Sequence, residues 1–318
     1  MMGRFVLRRF GLALITLALL SVLVFIGTQL LPGDVGRRVL GPFATQESVD
    51  ALNARLGTDR PPLVQYTDWI GGALTGDLGD SITFARPVTE LVGRALINSA
   101  KLAVLAFVIV VPLSIWGGIL AALRRGRLID RLITVGGLSA TVIPEFVSGI
   151  VLILVFAVTL GWLPGTASAP RGSSFFTQMR HLLLPAICLT LVLFGYIARI
   201  TRAGVIEAME ADYTRTAILK GLPRQVVIRR EVLRNALLPT IAVVASQMGY
   251  LIGGLVVVEV LFSYQGIGQL LYSAAQNADF PLLAGGVLVV GAMFQASMLL
   301  ADLAYSWLNP RIRLAGSG

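Results

Sequence analysis

The chain has 318 residues, 56% hydrophobic and 14% charged, with a mean hydropathy of +0.81. A soluble domain carries about 25% charged residues, so this composition excludes an ordinary water-soluble fold and indicates an all-α polytopic membrane protein. The net charge of +9 is read first as cytoplasmic arginine rather than as a nucleic-acid surface. One cysteine, Cys188, allows no intrachain disulfide, and one histidine, His181, excludes a metal site built on paired histidines.

Residues 10–31 are almost wholly apolar and follow Arg4, Arg8 and Arg9. At 1.5 Å per residue they reach roughly 30 Å, one bilayer core. They are expected to be a retained anchor, because the apolar core of a cleaved signal peptide runs only about 7–15 residues.

Residues 32–97 form a long polar interval. Val49, Leu52 and Leu56 predict a short amphipathic helix ending at Gly57. Leu63, Val64, Tyr66, Trp69 and Ile70 predict a second, Gly76 to Gly79 a turn, and Val88, Leu91, Val92 and Ala95 a third helix. Composition alone says only that this is a folded polar insert.

Five further apolar runs lie near 99–123, 132–160, 183–204, 239–262 and 284–308, which predicts six spans in all. Pro112, Gly117 and Gly118 fall in the second span, and Gly249, Gly253 and Gly254 in the fifth, where small residues let helices approach closely. Leu270, Leu271 and Ala274 suit a short helix lying against the bundle. Arg124, Arg125, Arg127 and Arg131, the basic stretch near 224–234, and Arg311 and Arg313 sit on short segments of one side. The positive-inside rule places those segments and both termini in the cytoplasm.

Residues 212–239 are the longest polar, cation-rich interval in the second half of the chain. Ile206, Met209, Tyr213 and Ala217 make one apolar stripe at helical spacing. Gly221 suits a left-handed helix stop, and Pro223 the first turn of a following helix. That second helix carries Val226, Val227, Val232 and Leu233 among Arg224, Arg229, Arg230 and Arg234, and is expected to run to about Asn235. Leu238-Pro239 then opens the next apolar run.

This helical elbow is similar to the cytoplasmic coupling motif of permease subunits in ABC importers, most of all the dipeptide/oligopeptide/nickel subfamily. Ala217, three residues, then Gly221 matches the heart of that motif. The opening Arg215-Thr216-Ala217 departs from the broader superfamily's Glu-Ala-Ala, and Leu-Pro comes five residues late, at 238–239, as is usual in the peptide subfamily. GDLG at 76–79, RPV at 86–88 and YSWLNPRIR at 305–313 also resemble it.

The resemblance implies a single transmembrane permease domain over 1–318, an extracytoplasmic loop at 32–97 and a coupling segment at 206–238. It implies a peptide-importing subunit in the cytoplasmic (inner) membrane of a bacterium or archaeon. Its partners would be a homologous second permease, two ATP-binding subunits and an extracytoplasmic binding protein, all in contact with lipid or one another. Tyr213, Ala217, Lys220, Gly221 and Arg224 are the expected coupling residues. Nickel chelates or other small solutes remain alternative cargoes.

No Gly-x-x-x-x-Gly-Lys-Ser/Thr occurs, and the only lysines are Lys101 and Lys220. ATP and Mg would therefore belong to partner subunits, with no cofactor in this chain. No nucleophile–base set is apparent, so the chain is not expected to be catalytic alone. A DNA-reading helix-turn-helix is disfavoured by the two flanking spans. An ion-driven secondary transporter is the rival reading, but it predicts inverted repeats, and none is visible.

Four acids lie in or near spans: Glu145, Glu259, Asp279 and Asp302. An ionised carboxylate at mid-bilayer costs roughly 2.5–3.5 kcal/mol even on the lenient insertion scale. Such groups must face protein or water. Glu145 and Glu259 are the candidates for the translocation path, with a helix–helix hydrogen bond as the alternative for each.

Overall fold

The computed structural model describes the backbone of residues 2–30, 35–41, 43–170 and 172–308. Side chains 2–6, 29, 30, 35, 38, 39, 52, 55, 56, 248–250, 252–254, 302 and 304–308 lie outside that description. The expectations for Leu52, Leu56, Asp302, Gly249, Gly253, Gly254, Arg311 and Arg313 fall there.

Helix α1 (Met2–Leu30) is the first long apolar helix. The insert follows as α2 (Val35–Leu40), α3 (Gln46–Leu56) and α4 (Pro62–Thr75). Thr45 caps α3 by accepting from the Ser48 amide, and Gly57 closes it at φ 69°. A small antiparallel hairpin follows, β1 (Asp80–Ser81) with β2 (Arg86–Pro87), paired Asp80 to Pro87 and Ser81 to Arg86. The hairpin lies just after the turn expected at Gly76 to Gly79, and two-residue strands have no periodicity that a sequence could show.

The third insert helix expected at 88–95 is a correction. It is the first part of α5 (Val88–Leu123), one continuous helix of 36 residues. At 1.5 Å per residue it is about 54 Å long, well beyond a bilayer core of about 30 Å. No helix stop separates Ala95 from the apolar run, so the polar face simply gives way to an apolar one.

The run at 132–160 is also not one straight helix. It divides into α6 (Leu128–Val142) and α7 (Glu145–Leu152), which continues as a π-helical stretch over Ile153–Thr159. The two halves are bent by 107°. Pro144 explains the break: the residue before a proline is pushed out of the helical region, and Ile143 stands at ψ 126°.

Helix α8 (Phe175–Glu210) begins at Ser174, whose side chain accepts from the Thr177 amide. It is the centre of the bundle, packing against α5, α6, α7 and α11. Then come α9 (Asp212–Leu219), α10 (Arg224–Val226), a π-helical turn over Val227–Val232, and α11 (Leu233–Leu261). The short helix expected around Leu270 is α12 (Ile267–Gln276), and α13 (Phe280–Leu308) closes the chain.

The main core stacks Leu102, Ala106 and Val110 of α5, four residues apart on one face, against Leu184, Leu189, Leu193 and Ile197 of α8 and Leu255 and Val258 of α11. Where α6 crosses α8 the backbones nearly touch. A methyl group on Gly195 would collide with the Gly137 carbonyl, so only glycine permits the approach. Elsewhere the apolar residues point outward: Leu12, Ile15, Leu19 and Leu23 on α1, and Val104, Val108 and Trp116 on α5, are exposed. Apolar faces of that extent require lipid or another protein. Among the described residues four helices are long and apolar enough to cross a membrane, five if the bent α6–α7 pair is counted as one broken span.

Candidate functional site

The elbow is built from two interruptions of helix. Ala211, at φ −73° and ψ 149°, ends α8 and caps the start of α9. This corrects the expected single stripe: Ile206 and Met209 belong to α8, Tyr213 and Ala217 to α9. The Thr214 hydroxyl donates to the Ala208 carbonyl at 2.6 Å, spanning the break. At its far end α9 stops in a left-handed cap. Gly221 has φ 76°, its amide donates to Ile218, and the Leu222 amide donates to Ala217. In this cap the glycine stands four residues after the helical residue whose carbonyl takes the outermost bond. The Ala-x-x-x-Gly spacing is that geometry.

Ala217 is buried, 6% exposed, among Ala122, Val205, Ala208, Val227, Val232 and Ala236 of its own chain. Its small side chain lets α9 lie close to α8 and to the π-helical turn. That side chain faces its own chain, in keeping with a residue chosen for close packing. The outward face is carried by residues that sequence reasoning passed over. Ile218 and Leu219 are 60% and 80% exposed, beside half-exposed Leu222, Tyr213 and Met209. Ile218 and Leu219 lie about 100° and 200° around α9 from Ala217, turned away from its packed side. Lys220, Arg224, Arg229, Arg230 and Arg234 of the elbow are all exposed.

The second elbow helix also differs from expectation. It does not stop near Asn235; the π turn passes straight into α11, with Pro239 inside the helix. Pro223 stands at the cap, one position before the first helical residue. The elbow is thus rigidly continuous with a long helix of the bundle on one side and hinged by a non-helical residue on the other.

Three buried carboxylates hold polar segments to the bundle. Asp130, unremarked in the sequence, accepts from the Gly126 amide and Thr134 hydroxyl and from Arg202 Nε and Nη2 at 2.6 and 2.9 Å. This forked pair ties the α5–α6 turn to α8. Glu259 has no exposed surface; it accepts from the Ser99 hydroxyl and the Gly268 and Gln269 amides. It anchors the start of α12, and no oxygen of it reaches a solvent-facing wall of this chain. Asp279, equally buried, accepts from Ser81, Ile82 and Thr83, and caps α13 at the Leu282 amide. It fastens the insert hairpin.

Glu145 is placed differently. It is half-buried in the first turn of α7, immediately after the α6–α7 break, and its carbonyl accepts from Cys188 Sγ at 3.4 Å. His181 Nδ1 lies 2.8 Å from the Thr166 carbonyl and helps hold the loop before α8. No group of three metal-ligating side chains occurs among the described residues.

Residues 114–314 match the family described as the binding-protein-dependent transport system inner membrane component, and residues 2–101 its N-terminal companion. The chain is 34% identical over 312 residues to the glutathione transport system permease protein of Escherichia coli O6:H1, covering 98% of this chain and 99% of that one. It is 33% identical over 312 residues to a "probable peptide ABC transporter permease protein" of Sinorhizobium fredii, covering 98% and 100%. A crystal structure of an amino acid ABC transporter with histidines shares the fold, with a TM-score of 0.50 at 16% identity over 70% of this chain and 94% of that one. An all-α, multi-pass helical protein with a rigid polar elbow, matched from end to end in this way, belongs to the family of binding-protein-dependent transport system inner membrane components.

Proposed function

We propose that this chain forms half of the membrane conduit of an ATP-driven peptide importer and couples it to a cytoplasmic ATPase through the elbow. The observation that carries the coupling is the exposed apolar cap of Ile218, Leu219 and Leu222 at a glycine stop, on an elbow that also exposes Lys220, Arg224, Arg229 and Arg230. An exposed patch of that kind, on a helix buttressed by its own core, suits an apolar cleft with acidic rims on an ATPase. Tyr213 anchors it, and Lys220 and Arg224 meet the rim. Gly221 sets the direction of exit, while Ala217 transmits the motion inward.

In this reading the chain crosses the membrane six times, with both termini and the elbow in the cytoplasm and the insert outside, facing the binding protein. A homologous second permease covers the outward apolar faces of the bundle, and two ATPases carry ATP and Mg. Family membership disfavours the ion-driven rival. The names of the relatives favour peptides over nickel chelates or other solutes, since glutathione is itself a tripeptide. Glu145, at the helix break, is the residue of this chain suited to meet a substrate ammonium; Glu259 serves as an internal anchor instead.

The test is reconstitution of the complete assembly in vesicles with labelled peptide. Uptake that needs ATP, both ATPases and the binding protein is expected. Uptake by this chain alone, or exclusion of every peptide alongside import of another solute, overturns the reading.

A further inference from the structure

One charged side chain in the second long helix has no task so far. Lys101 lies in α5, inside a segment apolar enough to span a membrane, yet it is exposed. It makes no hydrogen bond or ion pair with any described residue. Its position along the helix is informative. Ala122 packs in the elbow cluster, so the Leu123 end of α5 is the elbow end. Lys101 stands 22 residues from Leu123, about 33 Å at 1.5 Å per residue. That is one bilayer core away, at the opposite mouth of the bundle.

There Lys101 lines a cleft of about 270 Å³ with Asn98, Ser173, Gln178, Tyr264 and Gln265. The walls are braced from several elements. The Tyr264 hydroxyl donates to the Asn98 carbonyl at 2.9 Å, the Asn98 amide nitrogen to the Gln265 carbonyl at 2.9 Å, and the Gln178 amide nitrogen to the Ser173 carbonyl at 3.0 Å. The Ser173 Oγ is buried without a partner. Among the described residues no aspartate or glutamate lines the cleft. Burial first, and the nearby Glu259 carboxylate second, push the Tyr264 phenol up to about 12, so it too adds no negative charge at neutral pH. An ammonium beside an unpaired hydroxyl, with no acid among the described lining residues, selects an anion. The cleft is below the usual ~300–1,000 Å³ of a small-molecule site, so it takes one end of a ligand rather than the whole.

We propose that Lys101, with Ser173 and Gln265, receives the C-terminal carboxylate of an incoming peptide at the outer mouth of the conduit. This rests on the peptide reading above. The cleft lies on the side opposite the elbow, where substrate arrives, and the carboxylate is the one anion that every unmodified linear peptide carries. The alternative occupant is a lipid phosphate reached by a snorkelling lysine. The concave wall from residues 167–170, Gly172, Ser173 and Gln265 argues against it, since a lysine bound for headgroups needs no such enclosure.

Lys101 is one of only two lysines, and Lys220 lies on the elbow. This permits a direct test on the complete, purified complex in vesicles. Acetylation by an amine-reactive reagent is followed at Lys101 by mass spectrometry, against the same complex without peptide. Millimolar trialanine is expected to slow labelling of Lys101 about fivefold, or about 1 kcal/mol of occupancy, while trialanine amide leaves it unchanged. Equal protection by both peptides, or by neither, overturns the proposal. Protection present without peptide and lost in vesicles lacking anionic lipid assigns the cleft to lipid, and also overturns it. In uptake, Lys101→Gln should slow free-carboxylate peptides and Lys101→Arg should restore them. A wild-type assembly that imports another solute and no peptide defeats the peptide reading itself, a separate result from normal peptide uptake with an unprotected Lys101.

Discussion

The Thr214 hydroxyl donates to the Ala208 carbonyl at 2.6 Å across the non-helical residue Ala211. That carbonyl is one of those a helix C-terminus leaves unpaired. The bond therefore satisfies α8 and fixes the angle at which α9 leaves it. Thr214→Val keeps the shape and removes the donor, at about 1 kcal/mol. ATP hydrolysis in the reconstituted assembly is expected to continue while peptide taken up per ATP falls, and Thr214→Ser should restore it. Unchanged stoichiometry in the valine variant would show that the angle does not matter.

At Gly221 the strain is purely in the backbone, since no atom lies within 4 Å of an added Cβ and φ is 76°. Left-handed backbone costs an ordinary residue roughly 1–2 kcal/mol and a β-branched one more, while asparagine tolerates it. Uptake is expected to fall in the order Asn, Ala, Val, with assembly on a sizing column intact. Equal activity in all three variants would reduce the elbow to a simple connector.

Asp130 is buried, and Arg202 keeps about a quarter of its side chain exposed. Removing one partner leaves the other charge stranded. Asp130→Asn or Arg202→Met should each cost roughly 3 kcal/mol, at the lower end for a broken buried pair because Arg202 retains some water. The double variant should lose less than the sum of the two. Thermal unfolding of the detergent-solubilised complex measures this, and strict additivity would contradict a direct pair.

Glu145→Gln preserves shape and hydrogen bonding at the α6–α7 break while removing charge. If the carboxylate meets a substrate ammonium, uptake should slow severalfold for peptides with a free amine and little for N-acetylated ones, because the attraction is a few kcal/mol at most at an effective dielectric near 20. Initial rates on paired peptides read this directly. An equal loss for both would mean that Glu145 only supports the bundle.

Composition, apolar run length and the glycine stop belong to the sequence alone. Burying so many apolar residues needs lipid whatever the packing, and a left-handed cap at Gly221 needs a glycine whatever surrounds it. The insert helices ending at Gly57 and Gly76 were legible for the same local reason. Tertiary structure decided what depends on neighbours. Nothing local tells that Ala217 faces inward and Ile218 and Leu219 outward, that Glu259 is sealed by Ser99 160 positions earlier, or that Asp279 grips a hairpin 198 positions before it. Buried carboxylates look alike in a sequence; the donors that surround them are brought together only by the fold. The same holds for Lys101, which is one lysine in an apolar run until Ser173 and Gln265 close a cleft around it.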